Sequence, residues 1–233
     1  MLRIQFKTFL CGIFMFSFVH GFAQQQPTKR ICDTIHYEFI QGKIVIPVVV
    51  NGVKVKYIVD TGGQTGTDWE HVKAMGGVAT GASRSISDHN DMKELYQIAE
   101  VENVQLSPNY TLSKMKMVLP VIGSFRGIGA VGILGGDAFA QSVITFDARK
   151  QIMVINYPYR PDGLKISEGV AIYPGQTSHP IVDVDFGGIM KRVLFDTGAN
   201  GLLILSADDY EDLKDKVENR LFSRGIGISG VGI

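Results

Sequence analysis

Tyr57-Ile58-Val59-Asp60-Thr61-Gly62 returns later in the chain as Val193-Leu194-Phe195-Asp196-Thr197-Gly198. In both copies three mostly apolar residues run into Asp-Thr-Gly. A strand pair broken at glycine precedes each copy, at Gly52 in the first and at Gly187-Gly188 in the second. A candidate capped helix follows each. At average composition a given tripeptide arises by chance about once in several thousand positions, so one Asp-Thr-Gly would carry little weight. Two copies in one element order are the mark of a duplicated unit. The plainer alternative is two similar β-turns, since Asp and Gly are ordinary turn residues.

Outward from these copies the chain reads as mostly β. Lys43 to Val50 and Val53 to Val59 are rich in β-branched residues and flank Asn51-Gly52, a pair suited to the left-handed dihedrals of a tight hairpin turn. Ser142 to Phe146 and Gln151 to Tyr157 form a second expected hairpin around Asp147-Ala148-Arg149-Lys150. Helical signals are few. One helix is expected to start at Thr67, with Glu70 three residues on, and to end at Gly76-Gly77. Another is expected after Ser206 and Asp209, with Tyr210, Leu213, Val217 and Leu221 at helical spacing. Tyr157-Pro158-Tyr159-Arg160-Pro161-Asp162-Gly163 continues neither strand well and reads as a linker.

Asp-Thr-Gly after apolar residues resembles the active-site motif of pepsin-like and retropepsin-like aspartic peptidases. Val131-Gly132-Ile133-Leu134-Gly135-Gly136-Asp137-Ala138-Phe139 resembles the strand that crosses behind the active-site loop in that family. Asp196-Thr197-Gly198-Ala199-Asn200-Gly201-Leu202-Leu203 and its helix resemble the second pepsin lobe. The resemblance implies a mostly β, bilobal aspartic-peptidase (acid protease) fold. Its domains would be a first lobe at 31–157, a linker at 158–163 and a second lobe at 164–233. It implies Asp60 and Asp196 as the catalytic pair, one from each lobe, activating a water against a peptide or protein substrate. Two carboxylates held close share one proton, because both cannot ionise cheaply side by side, so one serves as base and the other as acid. Gly62 and Gly198 would let the backbone approach the carboxylates. Thr61 and Thr197 are implied to lock the two loops together. No cofactor or metal is implied.

Three features depart from the pepsin pattern. Gly63 and Ala199 stand where many pepsins carry Ser or Thr, so neither offers a hydroxyl to the pair. Gln64-Thr65-Gly66 is more polar than the apolar run expected there. The segment around Gly77 to Ser87, where a flap is expected, has no tyrosine. These point to the retropepsin-like branch, and the missing donors imply activity in a mildly rather than strongly acidic range. No counterpart of Ile133-Leu134-Gly135 follows Asp196 before the chain ends, so the second lobe is expected to be incomplete.

Lys and Arg together number 23, as do Asp and Glu, and this balance gives no electrostatic reason to expect a nucleic-acid partner. Arg3 and Lys7, the apolar run Thr8 to Val19, and Gly21-Phe22-Ala23 read as a signal peptide over residues 1–23, cleaved near Ala23. The run is shorter than the roughly 20 residues of a spanning helix. The mature chain is therefore expected to be secreted or periplasmic, with no stable membrane span. It keeps one cysteine, Cys32, which can form no internal disulfide. The glycine-rich Gly127 to Gly132 and Gly225 to Gly230 lack the strand-then-helix context of a dinucleotide site. Asp88-His89-Asn90-Asp91 reads as a solvated loop rather than a metal site. Against the peptidase stand a non-catalytic peptide-binding module on the same fold and a secreted β-rich structural domain. Intact aspartates in both copies favour the enzyme.

Overall fold

The computed structural model describes residues 30–87, 93–120, 124–140, 142–157, 172–174, 179–199, 205–214, 225–227 and 230–232. The expected signal segment, the linker at 158–163 and the loop at 88–91 lie outside the described residues, as does the helical spacing beyond Lys214. In chain order the strands are β1 (Ile31–His36), β2 (Glu38–Ile40), β3 (Lys43–Val50), β4 (Val53–Asp60), β5 (Gly66–Thr67), β6 (Val78–Ser87), β7 (Lys93–Ser107) and β8 (Tyr110–Leu119). They continue as β9 (Gly132–Gly135), β10 (Val143–Asp147), β11 (Ile152–Tyr157), β12 (Ile172–Pro174), β13 (Pro180–Asp185), β14 (Met190–Leu194), β15 (Gly225–Gly227) and β16 (Gly230–Gly232). Helix α1 (Trp69–Ala74) follows β5, and α2 (Ala207–Leu213) follows β14. The protein is mostly β.

The Asn51-Gly52 hairpin forms as its sequence dictates. Both turn residues have positive φ, 53° and 85°, which a two-residue turn needs to match the strand twist. It aligns Ile46 with Tyr57 and Val45 with Ile58. Because side chains alternate along a strand, one face of the pair sends Ile46, Val48, Val50, Tyr57 and Val59 into the main core, with Met117, Leu119 and Leu134. The other face packs Val45 and Ile58 on Ile128 and Ala130. The large sheet runs β2-β3-β4-β9-β5-β8-β7-β6, and a further pairing of β3 with β7 brings it back onto itself. The ring β3-β4-β9-β5-β8-β7 is thus a closed barrel, which leaves its members no free edge.

Beside the barrel, β1-β11-β10 forms a second sheet containing the expected Asp147–Lys150 hairpin. It is fastened to the barrel by buried Asp33. Ser107 Oγ (2.6 Å) and Asn109 N–H (2.7 Å) donate to one carboxylate oxygen, and Asn109 Nδ2 (2.8 Å) donates to the other. Hydrogen bonds to an ionised acceptor are the strong kind. Asn109 thus engages both its backbone and its side-chain amide in this contact.

The repeat holds residue by residue. The pairs from Val45↔Ile58 to Val49↔Lys54 recur as Ile181↔Leu194 to Asp185↔Met190, all displaced by the 136 positions that separate Thr61 from Thr197. Gly187 and Gly188 take the places of Asn51 and Gly52, again with positive φ, 70° and 94°. The copies differ in their surroundings. In the first, β9 runs parallel beside β4, so Val59 is fully buried. Among the described residues β14 pairs only with β13, and Phe195, the counterpart of Val59, is 49% exposed.

Helix α1 begins one residue later than the sequence suggests. Its N-cap is Asp68, whose carboxylate accepts from His71 N–H (2.9 Å). Thr67 belongs to β5, and its hydroxyl donates to the Val131 carbonyl (2.6 Å). Asp is as good a cap as Thr, and a sheet partner claimed the threonine. Helix α2 is capped by Ser206 as expected. Among the described residues no helix is long and apolar enough to cross a membrane.

Candidate active site

Asp60 ends β4 in the middle of the sheet, between β3 and the parallel strand β9, with Gly135 as its neighbour on β9. Asp196 follows β14 at the matching point of the second copy. Each loop turns back at once. Gly63 N–H donates to the Asp60 carbonyl (3.1 Å), and Ala199 N–H to the Asp196 carbonyl at a longer 3.4 Å.

The loops are locked together by their threonines. Thr61 N–H donates to Thr197 Oγ1 and Thr197 N–H donates to Thr61 Oγ1, both at 3.1 Å. The hydroxyls then donate across the interface, Thr61 Oγ1 to the Phe195 carbonyl (2.6 Å) and Thr197 Oγ1 to the Val59 carbonyl (2.8 Å). Each hydroxyl thus accepts once and donates once, and both β-branched side chains are held in a single rotamer.

The two motif glycines let the aspartates meet. A Cβ on Gly62 would lie 2.6 Å and 2.7 Å from the Asp196 carboxylate oxygens, and a Cβ on Gly198 would collide in the same way with the Asp60 carboxylate. The carboxylate of each copy fills the space that the other copy's glycine leaves open, which brings the two carboxyl groups together. Burial, the charge of Asp196 and the hydrogen bond with it push Asp60 up to about 7, against the opposing pull of Gly63 N–H and Lys43. Gly198 N–H donates to Asp196 Oδ1 (2.7 Å). One carboxyl of such a pair stays protonated where an isolated aspartate is fully ionised. The arrangement can therefore offer a proton acceptor and a proton donor side by side.

All six residues singled out in the sequence, Asp60, Thr61, Gly62, Asp196, Thr197 and Gly198, meet at this point. The absence of a side chain at position 63 also has a physical reason. A Cβ there would stand 2.9 Å from the Asp60 carboxylate and 2.9 Å from Ile133 Cδ1.

Other residues of the site were not legible in the sequence. The polar Gln64-Thr65-Gly66 stretch is a fastening. Thr65 Oγ1 accepts from Gly135 N–H (3.0 Å) and donates to Asp137 Oδ1 (2.8 Å), which also accepts Thr65 N–H (3.0 Å). This ties the first loop to the end of β9. Lys43, at the start of β3, reaches across to the second copy and donates to the Gly198 carbonyl. Burial pushes its amine below the ordinary lysine value, and the charges of Asp60 and Asp196 pull it back up. A ribbon of β6 and β7 projects beyond β8. The pairing of β7 with β8 begins at Gln97↔Leu119, whereas β6 and β7 continue from Arg84↔Tyr96 to Ser87↔Lys93. Arg84 Nη1 donates to Gln64 Oε1 (2.9 Å), so the ribbon is tied to the loop that carries Asp60. The segment expected as a flap is thus one strand of this ribbon. The ribbon does hold a tyrosine, Tyr96, on its other strand and buried.

No protein-family model matches the chain. No curated protein matches it either. Among solved structures it is similar to a retropepsin-like aspartic protease from Rickettsia conorii, with 18% identity and a TM-score of 0.37. That match covers 55% of this chain and 92% of the other.

Proposed function

We propose that this chain is an aspartic peptidase of the retropepsin-like kind, with Asp60 and Asp196 as its catalytic pair. The observation that carries the reading is the mutual fit of the two motifs, in which each carboxylate occupies the space left by the other motif's glycine while the threonines bond reciprocally. Two turns of similar sequence have no reason to meet in this way. The pair holds one proton between two carboxyl groups. The ionised member takes a proton from a water as that water attacks the peptide carbonyl, and the protonated member gives its proton to the carbonyl oxygen. The tetrahedral diol then collapses: a diol hydroxyl returns its proton to the carboxylate that had given it, the C–N bond breaks, and the amine leaves with the proton the first carboxylate had taken. The β6–β7 ribbon, tied to the loop through Arg84 and Gln64, is the element to cover an extended peptide. The reading includes export of the chain with cleavage near Ala23, and lobes at 31–157 and from 164 onward.

The test is hydrolysis of a peptide library by the full-length protein and by Asp60→Asn and Asp196→Asn. Each substitution removes a proton-transfer group, so each is expected to lower kcat/KM by about 100-fold to 10,000-fold. Near-normal turnover in either variant would overturn the assignment. A wild type that binds peptides and cleaves none would make the fold a peptide-binding module instead.

A further inference from the structure

Lys43 belongs to the first copy, yet its ammonium ends on the second. It leaves β3 at a position paired with Ile40 of β2, inside the sheet that closes the barrel, so its base is rigid. Its ammonium donates to the Gly198 carbonyl, and Asp60 and Asp196 both act on its charge. That carbonyl belongs to the peptide whose other end, Ala199 N–H, closes the second loop at 3.4 Å, against 3.1 Å for the first. The looser of the two turns is the one that Lys43 holds. One other charged side chain reaches these loops, and one other titratable side chain stands at the matching point of the second copy. Arg84 on β6 ends on Gln64. His179, just before β13, precedes Asp196 as Lys43 precedes Asp60, by the same offset of 136.

We propose that Lys43 is a positioning residue of the aspartate pair: its ammonium fixes the second loop through the Gly198 carbonyl and holds a positive charge beside both carboxylates, setting the pH range over which the pair carries one proton. A half-buried cation beside a carboxyl favours its ionised form. Lys43 therefore opposes burial and mutual repulsion, which would otherwise keep the pair doubly protonated to higher pH. With the charge removed, loss of the first and of the second proton should both move upward. A residue that only braced the loop would change the rate and leave these midpoints where they were.

The kinetic side of the inference rests on the peptidase reading, but the titration itself does not. Aspartate carboxyl carbons are followed by carbon-13 NMR against pH in the full-length protein, in Lys43→Met, Lys43→Gln and Lys43→Arg. The Met and Gln variants should titrate about one pH unit higher than wild type, and the Arg variant should return to within roughly 0.3 unit. Lys43→Gln keeps a donor for the carbonyl without the charge, and it serves where Lys43→Met fails to fold. Both limbs of the kcat/KM profile should move with the NMR midpoints. Unmoved midpoints in the Met and Gln variants, or an Arg variant that behaves like them, would overturn the proposal. If the wild type cleaves no peptide, the peptidase reading falls while the carboxyl titration still decides the role of Lys43.

Discussion

Asp60→Asn should stabilise the protein at neutral pH while disabling the site. In the unfolded chain Asp60 ionises with its ordinary value of 3.8, whereas in the folded protein it holds its proton up to about 7. Between these values the folded state binds more protons than the unfolded state, so stability falls as pH rises. The contribution is neutral below about pH 4 and has been lost in full above about pH 8. At 1.36 kcal/mol per pH unit, and reduced because solvent still reaches part of the pair, the loss is on the order of 2–4 kcal/mol. Asparagine has no proton to lose. Its amide can donate to Asp196 and its oxygen can accept from Gly63 N–H, so the geometry need not change. Unfolding by heat or urea should show wild type and variant alike at pH 4 and diverging steadily to pH 8. A variant gain of roughly 4–16 °C is expected at pH 8, by the usual scaling for chains of this size. Parallel curves, or a wild type that is the more stable at pH 8, would show that the pair is not buried and coupled as described.

Thr197→Val removes a donor to the Val59 carbonyl and an acceptor for Thr61 N–H; calorimetry should show a loss of about 2–4 kcal/mol, and Thr197→Ser should recover most of it. Gly62→Ala places a methyl against the Asp196 carboxylate; kcat/KM should fall by about 100-fold or more, since a displacement near 1 Å costs that much, and a variant with normal turnover would refute the close approach. Arg84→Ala frees the ribbon from Gln64; KM for peptides should rise about 3- to 10-fold, the value of one hydrogen bond, with a smaller change in kcat.

The elements around the aspartates were legible because local chemistry decides them. Asn51-Gly52 and Gly187-Gly188 admit few turns other than the ones observed, and the run before Asn51 is rich in β-branched residues that suit a strand buried on both faces. The meeting of Asp60, Thr61, Gly62, Asp196, Thr197 and Gly198 was implied by the resemblance of both copies to the aspartic-peptidase motif, which can be recognised because it is short, contiguous and repeated. Lys43, Arg84 and Asp137 follow a different logic. Each reaches its partner across a large sequence separation, to Gly198, Gln64 and Thr65, and no spacing rule links them. A lysine opening an apolar strand looks like any solvated strand end until the second copy is folded against it. Thr67 was misread for a related reason. Its sequence suited a helix cap, but a carbonyl from β9's approach, at Val131, took its hydroxyl and left the cap to Asp68.

The 136-residue repeat places two like halves in one polypeptide, and that frees them to become unlike. A peptide has a direction, from amino to carboxyl end, whereas a site with true two-fold symmetry looks the same to a peptide laid either way. Such a site must choose anew at every encounter which aspartate keeps the proton. Here the two halves differ, with a lysine at position 43 and a histidine at position 179, a buried strand end behind one aspartate and a half-open one behind the other. On the proposed peptidase reading, the two orientations of a bound peptide would then be different complexes, and duplication would become a means of telling head from tail.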